Sequence, residues 1–160
     1  ILKCPGDYST GINDKGAKVP RPRSVALNAW MGGPAFDESS AAPNPAYTKW
    51  MVYLRFAQIA SPAESFTFLD ERSDSINNGY FTQSMGGYPG TGPGWSFLDV
   101  PAGYHNRAGT IAFADGHVEN HKWMDPRTTP PLQQKLLPTI AASHSPDALW
   151  LLQRATRLTR

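Results

Sequence analysis

A single cysteine, Cys4, among 160 residues excludes an internal disulfide framework and a cysteine zinc site. The only disulfide left open is to another chain, in an oxidising compartment. Charge is also scarce. A formal balance of +2 is too small to indicate nucleic acid or an anionic membrane surface as a partner, and Arg154, Arg157 and Arg160 read as a solvated helix face. No apolar run approaches the roughly 18 residues of a membrane span, and nothing resembles a signal peptide. The chain opens with ILKCPGD and no initiator Met, so an upstream segment is expected to be missing. The run GGYPGTGPG is not followed by Lys-Ser/Thr and lacks a strand-helix context, which removes a phosphate loop. Neither a Gly-x-Ser-x-Gly elbow nor a His-Glu-x-x-His helix is present.

What is abundant is glycine and proline, 14 and 15 residues, beside a hydrophobic fraction of 40%. That balance predicts short strands, many turns and long irregular loops around one modest core, with residues 1–160 as a single domain. The organising stretch is Tyr104 to Trp123, YHNRAGTIAFADGHVENHKW. Asp115-Gly116 between alternating runs is a strong hairpin signal and suggests a type I′ turn, with positive φ at both central residues. Ala114 would then face His117, Phe113 would face Val118, and Ala112 would face Glu119. Alternation would place Ile111, Phe113 and Val118 on an apolar face, and Thr110, His117, Glu119 and His121 on a polar one.

Along the rest of the chain, residues 1–23 read as a polar loop in which Asp7, Asn13 and Asp14 make an ordinary turn rather than an EF-hand. SVALNAWM, Ser24 to Met31, is a buried strand ended by Gly32-Gly33-Pro34, and residues 34–46 form a surface loop. WMVYLRFAQIA, Trp50 to Ala60, suits either a strand and turn or a short helix. ESFTFLDE, Glu64 to Glu71, is a strand with Phe66 and Phe68 on one face and an acidic end. Residues 72–94 form a long ordered loop. A final helix begins at Pro146 with Ser145 as N-cap, burying Leu149, Leu152 and Leu158.

The polar hairpin face carries the first candidate chemistry. His117, Glu119 and His121 recur at i, i+2 and i+4, about 7 Å apart along a strand. Two imidazoles and a carboxylate suit zinc, with His105 or Asp115 as a further ligand; a solvated strand face gives the same pattern. Asp70, Glu71, Asp74, Asp99 and Asp115 fall at strand ends or in loops, where carboxylates and free carbonyls together suit calcium. His105 either caps a loop or acts as a general base, since an imidazole titrates at roughly pH 6.5. With Asp70 or Asp115 orienting it and a cation polarising a carbonyl, it could direct water at an ester or lactone. Tyr80, Tyr88 and Trp95 are the support for a carbohydrate-binding alternative.

Several segments together resemble the bacterial prepilin-type proteins, relatives of the type II secretion pseudopilins. His105, nine residues and then Asp115-Gly116 resemble the motif of that family's C-terminal module, continuing as FADGHVENHKW. Cys4-Pro5-Gly6-Asp7 is similar to its Cys-Pro-x-Asp. SVALNAWMGG is similar to its Ser-Tyr-x-x-Asn stretch, with Val25 in place of Tyr. SPAESFTFLDE and SPDALWLLQR are similar to its Asp-Glu segment and C-terminal tail. The family's leader and long apolar N-terminal helix have no counterpart here. The resemblance implies an α+β fold, a small antiparallel sheet with long loops and a C-terminal helix, as in a pseudopilin globular head. It implies an extracytoplasmic, structural subunit of a secretion or pilus-like assembly, with other subunits as partners. It also favours calcium, which related secretion-system heads use to fix a loop.

Overall fold

The computed structural model describes residues 3–32, 49–90, 92–133 and 135–159; the surface loop expected at 34–46 lies outside them. The fold is α+β, mostly sheet, with one helix near the C-terminal end. The expected hairpin is present as β7 (Ala108–Phe113) and β8 (Val118–Lys122), with β8 at one edge of the main sheet. These join β3 (Val25–Asn28), β4 (Phe66–Asp70) and β5 (Tyr80–Phe81) in a sheet of order β5-β3-β4-β7-β8. All its pairs are antiparallel except β3 with β5. Two small ribbons flank it. β1 (Thr10–Ile12) pairs with β2 (Lys18–Pro20), giving structure to a stretch expected to be loop, and β6 (Ser96–Phe97) pairs with β9 (Ile140–Ala141). The long 72–94 loop is interrupted by β5. WMVYLRFAQIA contains no full strand: Trp50 bridges Leu158, and Phe56–Gln58 forms a 3-10 turn.

The hairpin turn differs from the expected one, and the face assignments of its second strand change with it, while Ile111 and Phe113 keep the buried face expected of them. Gly116 has φ +94°, but Asp115 is not in the left-handed region. Gly116 N–H donates to Phe113 O, and Phe113 N–H donates to His117 O. This is a three-residue loop, a type I turn closed by a left-handed glycine, and it shifts the pairing by one residue. Ala112 pairs with Val118, and Ile111 with Glu119. A one-residue slip sends each side chain to the opposite face. Val118 is therefore exposed, while His117, Glu119 and His121 share the face of Ile111 and Phe113.

β4 contains a second irregularity. Phe66 pairs with Phe113 and Phe68 with Ala112, so Thr67 is an extra residue opposite β7. The bulge separates the two phenylalanines: Phe66 is wholly buried and Phe68 is exposed. Their expected common face is thereby corrected.

On the buried face, Ala26, Phe66, Leu69, Phe81, Ile111, Phe113 and Trp123 pack into one core with α1 (Pro146–Ala155). Ser145 caps α1 as expected, its side chain accepting from Ala148 N–H, and Pro146 occupies the first turn. Leu151 and Leu152 are buried and Leu149 is half-buried, whereas Leu158 lies beyond the helix and is exposed. Of the C-terminal arginines, Arg154 covers the Trp150 ring at 4.4 Å and Arg157 donates to Gln58 O at 3.2 Å. They pack rather than form a purely solvated face, and Arg160 lies outside the described residues. Among the described residues, no helix is long and apolar enough to cross a membrane.

Gly109 marks the tightest approach in the hairpin. A Cβ there would lie 2.6 Å from Ala102 O and 3.3 Å from Trp123 Nε1, two atoms joined by a 2.8 Å hydrogen bond. Gly109→Ala is expected to break that buried bond and lower unfolding free energy by about 2–3 kcal/mol, measured by urea denaturation.

Candidate functional site

Strand alternation sends Asp70 and Glu71 to opposite sides of β4, so the acidic pair does not act as one unit. Asp70 lies on the open face, and there it meets two distant residues. The Cys4 thiol, an Asp70 carboxylate oxygen and a His105 ring nitrogen all lie within 4.8 Å of one another. Cys4 Sγ is 3.1 Å from His105 Nε2. Ser24 ties the group together: its hydroxyl accepts from Cys4 N–H at 2.7 Å and donates to Asp70 Oδ1 at 3.2 Å. Burial, with the charge of Asp70 adding to it, pushes the Cys4 thiol above its usual range.

Cys4 and Asp70 are buried, while His105 is exposed at the rim. The loop that presents His105 is unusual, because Asn106 and Arg107 both adopt left-handed backbone, with φ 54° and 64°. Such conformations cost non-glycine residues about 1 kcal/mol each. The reversal is held by Arg107 N–H donating to Gly103 O and Ala108 N–H donating to His105 O. Preceding it, Tyr104 OH accepts from Ser73 N–H, and burial raises its phenol to about 12. From the cluster a groove of about 300 Å³ runs over the open sheet face, floored by Val25, Phe68, Ala112 and Val118.

The other expected ligands are used elsewhere. Glu71 is fully buried on the core side; Ser75 Oγ donates to its Oε1 at 3.0 Å, and its Oε2 has no partner. Burial, then the charge of Asp99, pushes Glu71 up to about 8. Asp99 is itself raised by burial, and it accepts from Thr82 N–H at 2.6 Å and from Asn77. Asp74 is paired with Arg72 at 2.5 Å. Asp115, at the hairpin tip, accepts from both the backbone and Nδ1 of His117, and these bonds lower its carboxyl. Among the described residues these carboxylates form no group of three.

The His117, Glu119, His121 row is a packing surface. His117 stacks on Phe113 at 4.3 Å, and His121 stacks on Trp150 at 4.0 Å with its edge toward Trp123. Burial lowers the pKa of His121, which favours the neutral ring in that stack. No metal-binding group of three arises there among the described residues. Of the three aromatics expected to offer a sugar platform, Trp95 is buried and Tyr88 stacks on Trp50 at 5.7 Å, while Tyr80 is half-buried in β5.

No family model, curated protein or solved structure matches this chain. The assignment of the site therefore rests on its chemistry. A thiol, an imidazole and a carboxylate whose ligand atoms lie within 4.8 Å of one another could hold a metal ion. Sequence reasoning set Cys4 aside because it has no second cysteine. The partners it does have are Asp70 and His105, the latter 101 positions away. No local spacing reveals such a pair; only the Cys-Pro-x-Asp resemblance marked the residue.

Proposed function

We propose that this chain is the structural head of a pseudopilin-type assembly subunit, displayed outside the cytoplasmic membrane, with a cation fastening its N-terminal segment to the sheet. The observation that carries this reading is the bonded cluster of Cys4, Ser24, Asp70 and His105. Each comes from a different segment of the family resemblance, and together they meet at one end of the three interior strands β3, β4 and β7. The donor set favours a zinc-class ion over calcium. Calcium takes six to eight oxygens, whereas a thiolate, an imidazole and a single carboxylate suit a zinc-class ion. Binding would draw the proton from Cys4, so the site would tighten as pH rises.

The test is thermal unfolding of metal-stripped protein with zinc or calcium added. Zinc at about 100 times its Kd should stabilise the fold by about 2.7 kcal/mol, and Cys4→Ser or His105→Ala should abolish the effect. Stabilisation by calcium alone, or by zinc in both variants, would remove the cluster from the proposal.

A second reading, a cation-dependent hydrolase of small esters or lactones, is favoured by one feature: His105 borders the groove over the open face. In that case zinc-loaded protein turns over a lactone panel and His105→Ala does not.

A further inference from the structure

Away from this cluster, a second cavity of about 600 Å³ opens between the β1–β2 ribbon, the turn after β4 and the segment around residue 135. Its wall carries Ser9, Lys18, Arg21, Asp74 and Lys135. The lone carboxylate is already satisfied. Asp74 Oδ1 pairs with Arg72 Nε, and its Oδ2 accepts from Arg72 Nη2 at 2.9 Å and Gln133 N–H at 2.7 Å. Lys18, Arg21 and Lys135 make no direct ion pair among the described residues, although the charge of Arg21 reaches the Glu71 carboxyl and works against its upward shift. Two wall atoms are, in addition, buried without a hydrogen-bond partner: Arg21 Nε and Ser9 Oγ. A buried donor left unpaired is costly, and a cationic fork beside a hydroxyl is the natural receptor for a phosphate or sulfate oxygen.

The walls are preset for such a guest. Arg21 N–H donates to Ser9 O at 3.1 Å, fixing the ribbon end that carries both groups. Leu137 N–H donates to Asp74 O at 2.7 Å, fixing the segment that carries Lys135. A cavity of this size exceeds the needs of a single inorganic anion and falls within the range of small-molecule sites. From these observations we propose that the cavity binds a compact polyanion, bearing more than one phosphate or sulfate group on a hydroxylated frame. Arg21 and Ser9 hold one anionic group at the inner wall, and Lys18 and Lys135 hold a second nearer the mouth. This site is independent of the Cys4 cluster and of the proposed assembly role.

Isothermal titration of the full chain with inositol hexakisphosphate and with a trisulfated heparin disaccharide separates the phosphate and sulfate sources, with inorganic phosphate as the single-anion control. One polyanion is expected to bind at least about tenfold more tightly than inorganic phosphate, with affinity falling as salt rises. Arg21→Gln should weaken it about tenfold or more, and Lys135→Gln, an exposed position that leaves the fold intact, by about three- to tenfold. Lys122→Gln, an equal charge change on β8, should leave it unchanged. Failure of both polyanions to bind, or equal weakening by Lys135→Gln and Lys122→Gln, overturns the proposal.

Discussion

Replacing Asp147 with alanine is expected to lower unfolding free energy by about 3–5 kcal/mol, the largest loss from any single polar truncation considered for this protein. The carboxylate is buried in the first turn of α1 and gathers the chain that leaves β8. It accepts from Met124 N–H at 3.0 Å, from Asp125 N–H at 2.9 Å and from Thr128 Oγ1 at 2.7 Å. Alanine would strand these donors away from water, each at a cost of roughly 1–3 kcal/mol before relaxation. The helix N-terminus adds a smaller favourable term for negative charge. Asp147→Asn keeps one acceptor oxygen and should lose about half as much. Urea denaturation of both variants checks the ordering; equal losses would show that charge alone carries the effect.

The second large effect concerns pH. Glu71 titrates near 8 in the folded chain against an ordinary value of 4.5, so folding holds a proton that the unfolded chain releases. Its contribution is fully present below about pH 4.5 and is lost as pH rises through about 8. The shift sets an upper bound of about 5 kcal/mol on that loss. Glu71→Gln keeps the shape without the charge, so between pH 5 and 8 it should flatten the decline and exceed the parent in stability at pH 8. Asp99, also raised by burial, leaves a residual slope of the same sign. Asp125 acts in the opposite direction: hydrogen bonding from Arg127 lowers it to about 2, so its contribution is present above about pH 4 and lost as pH falls toward 2. Urea midpoints at pH 5, 7 and 8 test this directly, and parallel profiles for parent and Glu71→Gln would refute the assignment.

The elements legible in the sequence were those set by local chemistry. Ser145-Pro146 announces α1, alternation announces β7, and Asp115-Gly116 announces a turn. The turn type was not legible, because Ala-Asp-Gly satisfies both a two-residue loop and a type I turn with a left-handed glycine. The choice lies in what the faces meet: the observed register stacks His117 on Phe113 and places His121 against Trp150 of a helix far along the chain. The bulge at Thr67 was hidden for a similar reason, since its cause is pairing with β7 and not the FTF pattern itself. At the candidate site, Asp70 and His105 are legible as candidate ligand and base. Cys4 is not, because its partners arrive through the sheet and not through neighbouring sequence.

The Asn28 side chain ties an early strand to the last-made helix. The Asn28 amide donates to Phe66 O at 2.9 Å and to Ala155 O at 2.8 Å, the second across 127 positions. Met51 N–H donates to Arg157 O, and Thr159 N–H to Lys49 O. During synthesis β3 therefore emerges long before the residues that complete its surroundings, and loops of this length close slowly. Until α1 leaves the ribosome, Phe113 lacks Trp150 against its ring, and the core cluster lacks Leu151 and Leu152. A nascent chain stalled before residue 146 would then present that uncovered sheet face to chaperones.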